Sequence, residues 1–140
     1  MLSRLSTILL LLVSLGFSSP AVINSGTLRD QIHKLADALN RRDLAAIRTQ
    51  ISPSRIFVEI ADRPGAYLTS SQTLVVMESF IRTRTSISSA FDFVNDDGFE
   101  GSASGTLAAR KDGRPVSYKL NFGFTKDSNG NWLLTKITMK

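Results

Sequence analysis

Asp92, Asp96, Asp97 and Glu100 bring four carboxyl groups into one short stretch of this chain. Paired carboxyl groups divide general-acid and general-base work when burial splits their pKa values. Asp96 and Asp97 precede Gly98 in a turn pattern, and turn residues are exposed, which leaves a carboxylate ordinary. Asp92, flanked by Phe91 and Phe93, is the member whose burial would make it an acid or a base. Proton transfer in an apolar interior could equally use Glu59 or Asp62 with a tyrosine donor, and the buried carboxyl group would then resist ionisation.

His33 is the single histidine, placed between Ile32 and Lys34 on an amphipathic segment, where it reads as a surface or helix-edge residue. It makes no histidine-rich metal site alone. A nucleophilic triad needs only one histidine, but the run Gly101-Ser102-Ala103-Ser104-Gly105 puts alanine where a nucleophile elbow requires serine. Asp127, Asn129 and Asn131 have the first, third and fifth spacing of a calcium loop. Trp132 then stands where that loop needs glycine, and Thr138 where it needs a bidentate glutamate, so the segment reads as a solvated hairpin turn. With no cysteine, there is no disulfide, thiolate metal site or lipidated cysteine. These patterns assign no catalytic residue, no metal ligand and no cofactor.

The 140 residues suffice for one core. Formal net charge is +5; Arg41, Arg42 and Arg48 fall near one helix end and Arg82 and Arg84 near another, with acids scattered through the same segments. A nucleic-acid surface wants a clustered basic stripe interleaved with aromatic residues, so nucleic acid is not expected as a partner. Met1 to Thr7 carries one positive charge, Arg4, ahead of the apolar run Ile8 to Phe17, which is well short of the ~20 residues of a membrane span. Ser19 and Ala21 occupy the minus-three and minus-one positions of a cleavage site, so residues 1–21 read as a secretory signal peptide, with cleavage after Ser18 as the alternative. Residues 22–140 are then one exported domain, periplasmic or extracellular, with no stable membrane span after cleavage.

Leu28, Ile32, Leu35, Ala36 and Leu39 recur at three- and four-residue intervals and predict an amphipathic helix, capped by Thr27 with Asp30 three residues on and closed by Arg41-Arg42. Asp43 caps a shorter helix with Leu44, Ala45 and Ile47 inward, stopped by Pro53. Phe57 to Ile60 reads as a strand, followed by the turn Asp62-Arg63-Pro64-Gly65 and a brief strand at Ala66-Tyr67-Leu68. Ser70 or Ser71 caps a third helix carrying Leu74, Val75, Met77, Phe80 and Ile81. The pairs Asp97-Gly98, Asp112-Gly113 and Asn129-Gly130, 15 and 17 residues apart, mark the tight turns of a four-stranded antiparallel meander over residues 88–95, 99–110, 115–126 and 131–139. Strands of that length at ~3.3 Å per residue are too long to stay straight, so Gly101, Gly105 and Gly123 are where the sheet should curl. The predicted class is α+β: three N-terminal helices packed on a strongly curved, mainly antiparallel sheet of four to six strands, with a hollow mouth.

This layout resembles the nuclear transport factor 2-like superfamily of cystatin-like α+β cones. The run Ile32-His33-Lys34-Leu35-Ala36-Asp37-Ala38-Leu39-Asn40-Arg41-Arg42-Asp43-Leu44 is similar to the opening of small exported bacterial members. So are Tyr67-Leu68-Thr69-Ser70-Ser71-Gln72-Thr73 ahead of an apolar helix and Asn131-Trp132-Leu133-Leu134 opening the last strand. Several such families are known only as domains of unknown function. Enzymatic members, such as ketosteroid isomerase and scytalone dehydratase, carry acid, base or tyrosine groups inside the cone. No matching constellation can be placed here, and none is carried over. Members often dimerise through the open sheet face, which leaves a homodimer open; Lys119, Asn121, Thr125, Lys136 and Thr138 would make that face polar.

Phe57, Tyr67, Phe93, Tyr118, Phe122 and Trp132 belong to the curved sheet or lie beside it and are expected to line a modest apolar pocket, with Tyr67, Tyr118 and Trp132 as its polar handles. The expectation is an exported non-catalytic binding module using the cone pocket or sheet face for a small apolar molecule or a protein partner. The alternative is a small isomerase or dehydratase-like enzyme acting by acid/base proton transfer.

Overall fold

In the computed structural model, which describes residues 26–140, helix α1 (Leu28–Asn40) starts at the expected cap. The Thr27 hydroxyl accepts from the Asp30 backbone N–H and the Asp30 carboxylate accepts from the Thr27 N–H, each at 3.2 Å. The signal-peptide reading of residues 1–21 lies outside the described residues. Leu28, Ile32, Leu35, Ala38 and Leu39 form the buried stripe, with Ala38 taking the place expected for Ala36. Helix α2 (Leu44–Gln50) is capped by Asp43, whose carboxylate accepts from the Ala46 N–H at 3.1 Å; it buries Ile47 and Gln50 and leaves Ala45 outside.

Strands β1 (Ile56–Ile60) and β2 (Ala66–Leu68) pair antiparallel and lead into helix α3 (Ser70–Arg82). Its cap is Thr69 rather than Ser70 or Ser71. The Thr69 hydroxyl accepts from the Gln72 N–H at 3.2 Å and the Gln72 side chain accepts from the Thr69 N–H at 3.0 Å, a reciprocal box that needs Gln at the third helical position. The inward face of α3 carries Val76 with Met77, Phe80 and Ile81, and Val75, expected on it, is exposed.

The remaining strands, β3 (Thr85–Asp96), β4 (Glu100–Lys111), β5 (Arg114–Lys126) and β6 (Trp132–Met139), form the expected meander. The sheet has six strands in the order β2-β1-β6-β5-β4-β3, with β1 parallel to β6 and the other pairs antiparallel. Of the three Asx-Gly turns, only Asp112-Gly113 is a two-residue hairpin with both φ angles positive, at 53° and 76°. The other two lie in longer loops organised by an aspartate. The Asp97 carboxylate accepts from the Glu100 and Phe99 N–H groups at 2.8 and 3.0 Å, and that of Asp127 from the Asn129 and Asn131 N–H groups, both at 2.9 Å.

Two ladder irregularities decide which side chains face inward. On β3 the register breaks between Phe91, opposite Gly105, and Phe93, opposite Ser104, so Asp92 is the extra residue of a bulge. A Cβ on Gly105 would collide with the Ala90 carbonyl oxygen and lie 2.7 Å from Phe91 Cα, so the bulge depends on that glycine. On β6, Thr135 is the extra residue between Leu134, opposite Phe124, and Lys136, opposite Gly123. Gly101, also expected at a bend, sits in regular pairing; a Cβ there would collide with Leu28 Cδ2, so it admits α1 instead. Leu107, Leu120, Phe122, Phe124, Leu134, Ile137 and Met139 pack with Leu28, Leu35, Leu39, Met77 and Phe80 into one core. The space between sheet and helices is therefore filled rather than hollow. No helix among the described residues is long and apolar enough to cross a membrane.

Candidate functional site

Arg84 follows the C-terminal end of α3 and is the one charged side chain buried among the described residues, at 6% exposure. Its guanidinium carbon lies 4.0 Å from the centroid of the Phe80 ring, one helical turn back, and 5.2 Å from that of Tyr118. The two rings meet edge to face with centroids 5.3 Å apart. Arg84 Nε donates to the Tyr118 hydroxyl at 2.9 Å, and Nη1 donates to the Thr83 hydroxyl at 2.8 Å and the Phe80 carbonyl at 3.4 Å. Arg42 donates to the Ile81 carbonyl at 2.7 Å, so two cations close on the negative pole of α3.

The ion pairs among the described residues are Arg41–Asp37 and Lys140–Glu59, which leaves Arg84 without a carboxylate. An unpaired buried charge costs several kcal/mol in desolvation, on the order given by ion-transfer estimates. The ring stack, the helix pole and the three hydrogen bonds offset much of that cost but bring no negative charge, so the site keeps a positive excess.

That excess faces a cleft of about 460 Å³ walled by Ala61, Asp62, Lys111, Val116, Ser117, Tyr118 and Lys140. Val116 and Tyr118 continue the inward row of β5 beyond Leu120 and Phe122, past the edge of the core. Ala61 is held opposite by its N–H, which donates to the Met139 carbonyl at 2.7 Å. Asp62 is the one carboxylate side chain on the walls, and it is exposed.

Among the described residues the six aromatic residues are spread over separate places rather than one pocket. Tyr118 alone reaches the cleft. Phe122 is core, with its ring 5.4 Å from that of Phe91. Trp132 is buried beside a separate groove of about 400 Å³ near Gln50, with Lys126 Nζ 5.4 Å from its ring centroid. Phe57 and Tyr67 meet edge to face at 5.4 Å on the side of β1 opposite Ile56, Val58 and Ile60, and Tyr67 is 68% exposed. Phe93, expected in the pocket, is 61% exposed because the extra residue Asp92 turns it to the face opposite Phe91.

Asp92 is itself exposed, and Glu59 pairs with Lys140 at 2.6 Å. His33 is exposed at a groove of about 270 Å³ between α1 and β3. In the loop with calcium-like spacing, backbone N–H groups occupy the Asp127 carboxylate and hold its pKa below the ordinary 3.8, the Asn131 N–H foremost. Sequence reasoning missed Arg84. The available signal was its position four residues after Phe80, the spacing at which a cation stacks on an aromatic ring along a helix.

No protein-family model and no curated protein matches the chain. Solved structures do. A ketosteroid isomerase-like protein from Erwinia carotovora atroseptica aligns with TM-score 0.70 at 16% identity, over 80% of this chain and 91% of that one. A DUF4783 family protein from Bacteroides uniformis aligns with TM-score 0.67 at 11% identity, over 77% and 94%. An NTF-2 like protein of unknown function from Shewanella oneidensis aligns with TM-score 0.64 at 11% identity, over 80% and 94%. Identities this low speak to backbone architecture and not to chemistry: the chain has the nuclear transport factor 2-like fold.

Proposed function

We propose that this protein is an exported binding module that holds a small molecule in the Arg84–Tyr118 cleft. The observation that carries the reading is a buried guanidinium, stacked and hydrogen-bonded into one orientation yet lacking a counter-ion among the described residues, at the wall of a cleft of about 460 Å³. Ligand sites are concave spaces of roughly 300–1,000 Å³ with a few oriented polar groups, and the cleft fits that description. Export rests on the sequence of residues 1–21.

A proton-transfer enzyme is the competing reading, because Asp62 and Tyr118 share the cleft. It is the weaker one: a general acid or base near neutral pH needs a carboxyl group removed from water, and Asp62 is exposed. Backbone amide shifts of the purified protein, recorded against a mixed small-molecule library, test the binding reading. Ligand-dependent shifts at Ala61, Lys111 and Ser117 are expected. Shifts confined to the Trp132 or His33 grooves, or none at all, would end it.

A further inference from the structure

We infer that the cleft takes a small monocarboxylate, with its anionic head on Arg84 and Tyr118 and an apolar body against Val116 and Ala61. This rests on the cleft being the binding site and adds the class of ligand. A guanidinium has five N–H groups in a fixed planar fork. In Arg84 the Nε hydrogen goes to Tyr118, and the two on Nη1 go to Thr83 and the Phe80 carbonyl. Among the described residues Nη2 has no acceptor, so two charged donors are free. The Tyr118 hydroxyl accepts from Nε, which leaves its own proton to donate.

Nη2 lies on the same edge of the guanidinium plane as Nε, so the free Nη2 hydrogens and the Tyr118 hydroxyl present neighbouring donors. Two adjacent donors, one of them cationic, suit the paired oxygens of a carboxylate.

Charge points the same way. Lys111 adds a second cation to the walls; Lys140 is already satisfied by Glu59, and Asp62 is the one acidic side chain there among the described residues. A neutral ligand would leave the buried charge of Arg84 unanswered, whereas an anion removes that cost. The rest of the wall argues against inorganic phosphate. Val116, Ala61 and the Tyr118 ring offer apolar surface, which inorganic phosphate leaves unused and the body of a monocarboxylate covers.

Benzoate, benzamide and inorganic phosphate, titrated into the full chain and followed by amide shifts and calorimetry, test the inference. Benzoate should bind with shifts at Lys111 and Ser117, benzamide about tenfold or more weakly, since the difference is a charge-assisted hydrogen bond in a buried site. Arg84→Met should abolish benzoate binding. Because Arg84 also closes α3, the deciding variant is Lys111→Glu, which leaves the bonds of Arg84 in place, reverses the second cation on the walls and should weaken benzoate about tenfold. Benzamide binding in the cleft as tightly as benzoate, undiminished benzoate affinity in Lys111→Glu, or phosphate binding more tightly than benzoate would each overturn the carboxylate class while leaving the cleft a binding site. Probes and library compounds that shift only residues away from the cleft would instead remove the site itself.

Discussion

Asn40 and Ser89, 49 residues apart, are joined by a double hydrogen bond: the Asn40 side-chain oxygen accepts from the Ser89 backbone N–H at 2.7 Å and from its hydroxyl at 2.8 Å. The Ser89 hydroxyl also reaches the Ala36 carbonyl at 3.3 Å. One amide thus pins the end of α1 to β3 just before the bulge at Asp92.

Asn40→Ala leaves both Ser89 donors without that partner in a largely buried position. A loss of about 1–3 kcal/mol in unfolding free energy is expected, read by urea denaturation with an unchanged m-value. Asn40→Asp keeps the acceptor oxygen and should lose less. Equal loss in the two variants would mean that the contact does not act as a hydrogen-bonded tie.

Gly105→Ala tests the bulge itself. Its new methyl would meet the Ala90 carbonyl oxygen and Phe91 Cα, both backbone groups that cannot rotate away. Strain of about 1–3 kcal/mol should appear as a lower denaturation midpoint, and amide shifts should change from Ala90 to Phe93. Wild-type stability would show that β3 passes β4 with more room than this register allows.

The division between Phe91 and Phe93 also marks where the sequence ceased to be readable. Helix caps at Thr27 and Asp43, the meander and its order depend on local spacing, and they were legible from it. Strict alternation put Phe91 and Phe93 on one face, but a bulge adds a residue without a unique local mark. Only Gly105 on the opposite strand records it. The cleft was hidden for a related reason: Arg84 and Tyr118 are 34 residues apart, and the burial of a cation that composition places on the surface follows from that distant pairing. Tyr118 is legible as a polar handle because its row on β5 is readable; its partner is not.

Gln50 offers a test in the opposite direction. Among the described residues its side-chain oxygen is buried without a hydrogen-bond partner, in a residue 5% exposed beside Trp132. Gln50→Leu removes an unsatisfied acceptor at similar volume, so stability should rise by up to about 1 kcal/mol, visible as a higher melting temperature. A drop of similar size would mean that the oxygen is satisfied in solution.

The two aspartate-organised loops predict an acid-side dependence whose sign follows from their hydrogen bonds. Backbone N–H groups hold the Asp97 pKa below its ordinary 3.8, that of Glu100 first and that of Phe99 second, and the Asn131 N–H does the same for Asp127. Unfolding releases both carboxylates to the ordinary value, so the unfolded chain binds more protons in this range and acid favours it. Their contribution is fully present above the unfolded value, begins to fall as the pH drops past about 4, and is gone once the pH passes below the depressed folded values. Asp97→Ala and Asp127→Ala should therefore be less stable than wild type at pH 6, with the difference narrowing steadily toward pH 2. Asp97 is exposed and Asp127 half-buried, so the effect is modest and resides in the bonds to the turns rather than in burial. Denaturation midpoints at each pH would measure it, and a gap that stays constant from pH 6 to pH 2 would show that the carboxylates act through shape alone.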